Sequence, residues 1–170
     1  MNREAPSPVS AADIDVEGLK RLLPHRPPFL MIDRLTDIQP GISAVGWKAV
    51  TINEPHFMGH FPNYAVMPGV LMLQACVESA AWLWRATTDY QHPVIVLREL
   101  KLVKYGTFMQ PGRRMDVTVE LTRADAANGR ASFKAKGAND REIVADAFFA
   151  TTETGEVPVF VTGDAGIYKA

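Results

Sequence analysis

Cysteine is almost absent: Cys76 is the only one among 170 residues. A lone thiol cannot close an intrachain disulfide, so packing must hold the fold, and a reducing compartment is permitted. A charge excess is also missing. Lys and Arg number 18 against 19 Asp and Glu, for a net charge of −1, which removes any global pull toward nucleic acid or an anionic membrane. No run of about 18 uninterrupted apolar residues occurs, so no membrane span is expected. Residues 1–12 are polar and proline-bearing and lack the apolar segment of a signal peptide, which makes the cytoplasm the default. There is no internal repeat and no low-complexity segment, and nothing calls for a metal or a cofactor.

What is present is an ordinary globular composition, 47% hydrophobic and 22% charged, in a length that suits one domain. Residues 1–12 read as a tail, 13–156 as the domain and 157–170 as a second tail. A short amphipathic helix is expected over Val16–Leu23, stopped by Pro24. Pro27 and Pro28 force extended chain, and a strand is expected from Phe29 to Asp37. Pro40-Gly41 marks a turn, and Ser43–Ile52 alternates as a second strand. Asn53 is placed as the N-cap of a short helix with Pro55 in its first turn. Val70 to Ala86 is a helix apolar on most sides, which belongs inside something. Burial is expected on it, with Trp82 or Trp84 near a dimer interface or an acyl tunnel. Val94–Tyr105, Arg114–Arg123, Ala131–Gly137 and Ile143–Thr152 then read as strands separated by turn-rich segments. Two strands, one buried helix and four strands argue for an α+β domain in which an antiparallel sheet wraps a helix.

Three segments carry a resemblance. Leu22 to Arg34 (Leu-Leu-Pro-His-Arg-Pro-Pro-Phe-Leu-Met-Ile-Asp-Arg) resembles the opening motif of the FabZ-type 3-hydroxyacyl-ACP dehydratases. Thr51 to Pro62, containing Gly59-His60-Phe61-Pro62, resembles their active-site segment, and Val66-Met67-Pro68-Gly69-Val70-Leu71 continues it in register. Pro111-Gly112 matches a later turn. The resemblance implies the hot-dog fold, with dimers as the minimal active unit. It implies a substrate presented on acyl carrier protein as an acyl-phosphopantetheine, and action in fatty-acid or polyketide-type chain synthesis. It makes His60 catalytic and the Gly69 region the source of an oxyanion donor.

That chemistry makes physical demands. Removing water from a 3-hydroxyacyl thioester takes a base for the proton beside the carbonyl, an acid for the departing hydroxyl, and donors for the thioester oxygen. A histidine titrates near neutral pH and suits the base. Gly69 and Val70 open the buried helix, where free N–H groups and the positive end of the helix dipole are available. His25 and His56 read as structural, and Glu54 as serving a turn or a cap.

The sequence departs from the family where the acid should stand. Fourteen residues after His60 the family carries a carboxylate, and here stands Gln74; four residues further it usually carries glutamine, and here stands Glu78. An amide can hold a hydroxyl but cannot deliver a proton as a carboxylic acid does. Residues four apart share a helix face about 6 Å apart along the axis, so Glu78 could reach the same cavity from one turn deeper. The other reading of Glu78 is a buried or interface carboxylate paired with a cation such as Arg85 or one on a partner subunit. Ala65 and Gly106-Thr107-Phe108 also depart from the family and imply a reshaped tunnel. Lys101, Lys104, Arg113 and Arg114 are candidates for a basic rim that meets an acidic carrier protein. Three readings follow: a dehydratase with altered acid chemistry, a subunit that pairs with a complete paralogue, and a hot-dog thioesterase. Self-association as a homodimer, or as a trimer of dimers, goes with the first.

Overall fold

The computed structural model describes residues 13–90, 94–139 and 143–154. The expected tails at 1–12 and 157–170 lie outside them. The first helix, α1 (Val16–Leu22), is capped by Asp15, whose carboxylate accepts from the Gly18 N–H at 2.9 Å, satisfying one of the donors every helix leaves open. Leu19 and Leu23 pin it to the core.

Six strands form one sheet in the order β1-β2-β4-β5-β6-β3, every neighbouring pair antiparallel. They are β1 (Arg34–Gln39), β2 (Ser43–Ala49), β3 (Val94–Tyr105), β4 (Arg114–Asp125), β5 (Arg130–Ala138) and β6 (Ile143–Thr154). Alternation decides the inner face: Met115, Val117 and Val119 of β4 and Ala131, Phe133 and Ala135 of β5 are buried, with more polar neighbours outside, as a half-buried antiparallel sheet requires. The central helix α2 (Gly69–Thr87) lies on that face and touches all six strands. From Ala75 to Arg85 every α2 residue is buried, Trp82 and Trp84 included. This is the hot-dog architecture. The helix comes close because Gly46 of β2 has no side chain: a Cβ there would run into the Ser79 hydroxyl. Ser79 meanwhile donates to the Ala75 carbonyl at 2.8 Å, one turn back on its own helix.

Three local expectations differ from the structure. The strand expected from Phe29 begins only at Arg34. The N–H groups of Phe29 and Leu30 turn back to the Arg26 carbonyl, and those of Met31 and Ile32 donate to the Glu78 carboxylate instead of to a ladder. The second strand ends at Ala49 rather than Ile52, because Thr51 is taken up in a turn that donates its N–H to Glu54 Oε1. Asn53 caps nothing. The helix after it is a single 3-10 turn over Pro55–Met58, preceded by Glu54, whose side chain makes no cap bond.

Candidate active site

His60 sits in the loop between the 3-10 turn and α2, and the backbone there is clasped from both sides. The Val66 N–H donates to the His60 carbonyl at 3.0 Å, and His60 Nδ1 stands 2.8 Å from the Val66 carbonyl. A carbonyl only accepts, so Nδ1 carries the hydrogen and Nε2 keeps its lone pair. The ring stacks on Phe61 with centroids 4.2 Å apart. The Met67 N–H donates to the Met109 carbonyl at 2.7 Å, tying the loop to the segment after β3.

His60, Met67, Gly69 and Met72 line a cleft of about 480 Å³ together with residues 105–108. The cleft joins His60 to the first residue of α2. Leu71 and Met72 donate to the Pro68 carbonyl, whereas helix geometry gives the N–H groups of Gly69 and Val70 no partner within the helix. Val70 itself is 68% exposed and its side chain is no part of the cleft. Gly69 is required for a reason besides ligand access. The Tyr105 ring lies so close that a Cβ at position 69 would stand 2.9–3.0 Å from three of its carbons. Gly106, Thr107 and Phe108, singled out in the sequence as a reshaped tunnel wall, all border the cleft.

Gln74 and Glu78 do not line this cleft. They belong to a second cluster on α2, with His25. Glu78 is fully buried. Its Oε2 accepts from the Met31 N–H at 2.8 Å and the Ile32 N–H at 3.3 Å, and its Oε1 from the Gln74 amide at 3.0 Å. Burial pushes its carboxyl up to about 7, opposed by the Gln74 bond, the two backbone bonds and the charge of Lys48. Within the chain, Glu78 takes amide donors in place of the Arg85 partner offered in one of its two readings. Gln74 also lies 3.2 Å, nitrogen to nitrogen, from His25 Nε2. Burial and the Arg26 charge pull His25 down to about 4, so its ring is neutral at physiological pH. A polar pair at i and i+4 on an otherwise apolar helix must find partners inside. That signal was present in the sequence and pointed to a third polar group, here His25, which was read only as structural.

Glu54 does serve a turn, and it also neutralises Lys48 of β2 at 2.7 Å. His56 packs tilted against Phe57, and burial depresses its ring, with Glu54 opposing and Lys48 and His60 adding to the effect. None of the four rim candidates lines the His60 cleft. Lys101 borders a separate polar hollow of about 200 Å³ with Arg98, Arg123 and Arg130. Lys104 and Arg113 are exposed. Arg114 is engaged on the sheet, 4.4 Å over the Trp47 ring and 2.9 Å from Asp116.

Known proteins bear on this geometry. Residues 23–148 match the model of the FabA-like domain. The chain belongs to that family. It is 40% identical over 144 residues to the 3-hydroxyacyl-[acyl-carrier-protein] dehydratase FabZ of Anaeromyxobacter sp. (strain Fw109-5), covering 82% of this chain and 90% of that one. Identity to the FabZ of Jannaschia sp. (strain CCS1) is 35% over 159 residues, 92% of this chain and 96% of the relative. Among solved structures, the dehydratase heterocomplex ApeI:P from Xenorhabdus doucetiae superposes with a TM-score of 0.66 at 12% identity, covering 86% of this chain and 97% of that one. Cj0977, a sigma28-regulated virulence protein from Campylobacter jejuni, gives a TM-score of 0.60 at 12% identity, with coverages of 90% and 99%. At such identities these two structures establish the fold alone.

Proposed function

We propose that this FabA-like protein is a 3-hydroxyacyl-[acyl-carrier-protein] dehydratase that works in fatty-acid or related chain synthesis, with His60 as its base. The observation that carries the reading is the His60 clasp. The Val66 carbonyl holds the Nδ1 hydrogen, so Nε2 is the lone pair available in a cleft that also contains the start of α2. In the proposed reaction Nε2 removes the proton beside the thioester carbonyl. The N–H groups of Gly69 and Val70 receive the charge that gathers on the thioester oxygen. Protonated His60 then returns the proton to the departing hydroxyl, giving water and a 2-enoyl thioester. Gln74 holds that hydroxyl in place.

His60 and Gln74 occupy different clusters within one chain, so the reading requires the two to meet across two chains. β3 supports a homodimer. Among the described residues it is an edge strand, 12 residues long with Leu100, Leu102 and Tyr105 exposed on it, a row of unpaired backbone groups that a second copy can complete. A trimer of such dimers would leave this seam intact. An alternative follows from the amide at position 74, which lacks a carboxylic proton: the chain lends its cleft to a paralogue that supplies the acid. The test is turnover of a 3-hydroxyacyl-ACP by the purified chain alone and after mixing with a FabZ-type protein inactivated at its own histidine. Activity of the chain alone supports the homodimeric enzyme. Inactivity alone with activity in the mixture selects the paralogue reading.

The carrier protein is the proposed partner, recognised through exposed basic residues, among them Lys101, Lys104 and Arg113, with Arg114 a weaker candidate because it is already paired. Such contacts are screened by salt, so the complex is expected to weaken as ionic strength rises from about 0.05 to about 0.5 M. Titration of the carrier protein in that series checks this. Binding unchanged by salt, or by reversing Lys101 and Lys104 together, removes these residues from the docking face.

A further inference from the structure

The Gln74 amide is caught between two acceptors. Its nitrogen stands 3.2 Å from His25 Nε2 and 3.0 Å from Glu78 Oε1, so both of its hydrogens are used. No hydrogen bond from the described residues reaches its oxygen, and Gln74 is half-buried, so that oxygen is the face the amide shows outward. This arrangement has a cost. If His25 Nε2 accepts, the ring hydrogen is on Nδ1, and His25 Nδ1 is buried with no partner among the described residues. An orphaned buried N–H is among the least tolerated groups in a protein interior.

One proton removes the conflict. Glu78 Oε2 already accepts from two backbone N–H groups, so Oε1 is the atom that takes a proton. Once Oε1 carries a hydrogen it becomes a donor facing the donor nitrogen of Gln74. A half-turn of the amide puts the Gln74 oxygen there instead. Glu78 Oε1–H and His25 Nε2–H then both donate to that oxygen. His25 Nδ1 becomes an unprotonated acceptor, and the orphaned donor is gone. The imidazole carries one hydrogen in both arrangements, so the only net change is the proton on Glu78. The Gln74 NH2 now points outward.

We propose that Gln74 is a reversible amide: it shows its oxygen when Glu78 is ionised and its NH2 when Glu78 is protonated, and the His25 tautomer follows. In this scheme Glu78 and His25 are positioning residues that act through Gln74. Resting on the dehydratase reading, the consequence is chemical. An outward NH2 donates to the oxygen of the departing hydroxyl and assists elimination, whereas an outward oxygen holds the hydroxyl by its hydrogen and does not.

The groups facing the pair can be named. Lys48 comes from β2 and is paired with Glu54; His25 and Arg26 come from the segment before β1, with Arg26 donating to the Leu23 and His25 carbonyls; Arg85 lies further along α2. Burial holds the Glu78 carboxyl at about 7 and keeps His25 neutral down to about 4. The sign follows from the raised carboxyl: the NH2-outward state is present below about pH 7 and is lost as pH rises through it.

The test is ¹⁵N NMR of His25 in the full-length protein from about pH 5 to about pH 9, alongside the pH profile of dehydration. In the wild type the His25 hydrogen should move from Nε2 to Nδ1 as pH rises through about 7, with dehydration falling on the same limb. In Glu78→Gln the new amide NH2 stands in for the carboxyl O–H. His25 should then stay Nε2-protonated throughout, and the alkaline fall should disappear. In Gln74→Leu the link is cut, and the His25 tautomer should no longer follow pH. A single His25 tautomer across the wild-type range, or a switch that survives either substitution, overturns the proposal. If none of the proteins turns over a 3-hydroxyacyl thioester, the dehydratase reading falls, and the NMR series still decides the switch.

Discussion

His60→Ala is expected to lower dehydration by about 10²- to 10⁴-fold while the protein stays folded, because one general base contributes about that much. The ring also makes a bond of its own, from Nδ1 to the Val66 carbonyl. Losing that neutral hydrogen bond should cost on the order of 1 kcal/mol of stability. The Val66 N–H to His60 carbonyl bond survives the change, since it involves only backbone. Rates and thermal unfolding measured on the same preparation check both parts. Near wild-type turnover in a folded His60→Ala variant would show that the clasped histidine is not the base. A variant that fails to fold would show that the Val66 bond holds more than one hydrogen bond's worth of structure. His60→Asn, which keeps a donor for Val66, would then report on the chemistry.

The largest expected effect on stability lies beside the site, at Glu54. Lys48 points to the helix side of β2 and is 6% exposed in its side chain, and its carboxylate partner is 16% exposed. Removing one member of a buried ion pair leaves the other charge desolvated and uncompensated, which typically costs about 3–5 kcal/mol. Glu54→Gln isolates that effect, because the new amide oxygen can still accept the Thr51 N–H that Glu54 Oε1 holds at 3.0 Å. Urea denaturation should show a loss of about 3 kcal/mol or more with an unchanged dependence on denaturant. Replacing both partners with apolar residues, Lys48→Met with Glu54→Leu, should recover most of it. A loss below about 1 kcal/mol in the single variant would mean that Lys48 finds water or another partner.

Most of the sheet and the central helix were legible in the sequence because their signals are local. Met115, Val117 and Val119 alternate, turn residues bound each strand from Val94 onward, and the run after Pro68 is too apolar for a surface helix. The start of β1 was not legible for a matching reason. Met31 and Ile32 look like strand residues, but their N–H groups are taken by a carboxylate 46 and 47 residues away, and no periodicity records that. Asn53 failed as a cap because the turn beside it is organised by Glu54, which reaches Lys48 on another strand. At the site, the resemblance named His60 and Gly69, and both line one cleft. Spacing suggested that Glu78 could face that cleft, whereas the helix turns Gln74 and Glu78 toward His25 and the segment before β1. The basic residues were chosen by charge alone, which carries no information about which end of the sheet they occupy.

The proposed reaction is the removal of water from a 3-hydroxyacyl thioester on a carrier protein. It is tested most directly by incubating the purified chain with a series of 3-hydroxyacyl-ACPs of increasing chain length and following the acyl group by mass spectrometry. Loss of water is expected from at least one member of the series, with the acyl group still attached to the carrier and the reaction abolished in His60→Ala. Release of free acid without loss of water would contradict it and select the thioesterase reading, and an unchanged acyl group across the whole series would contradict it outright.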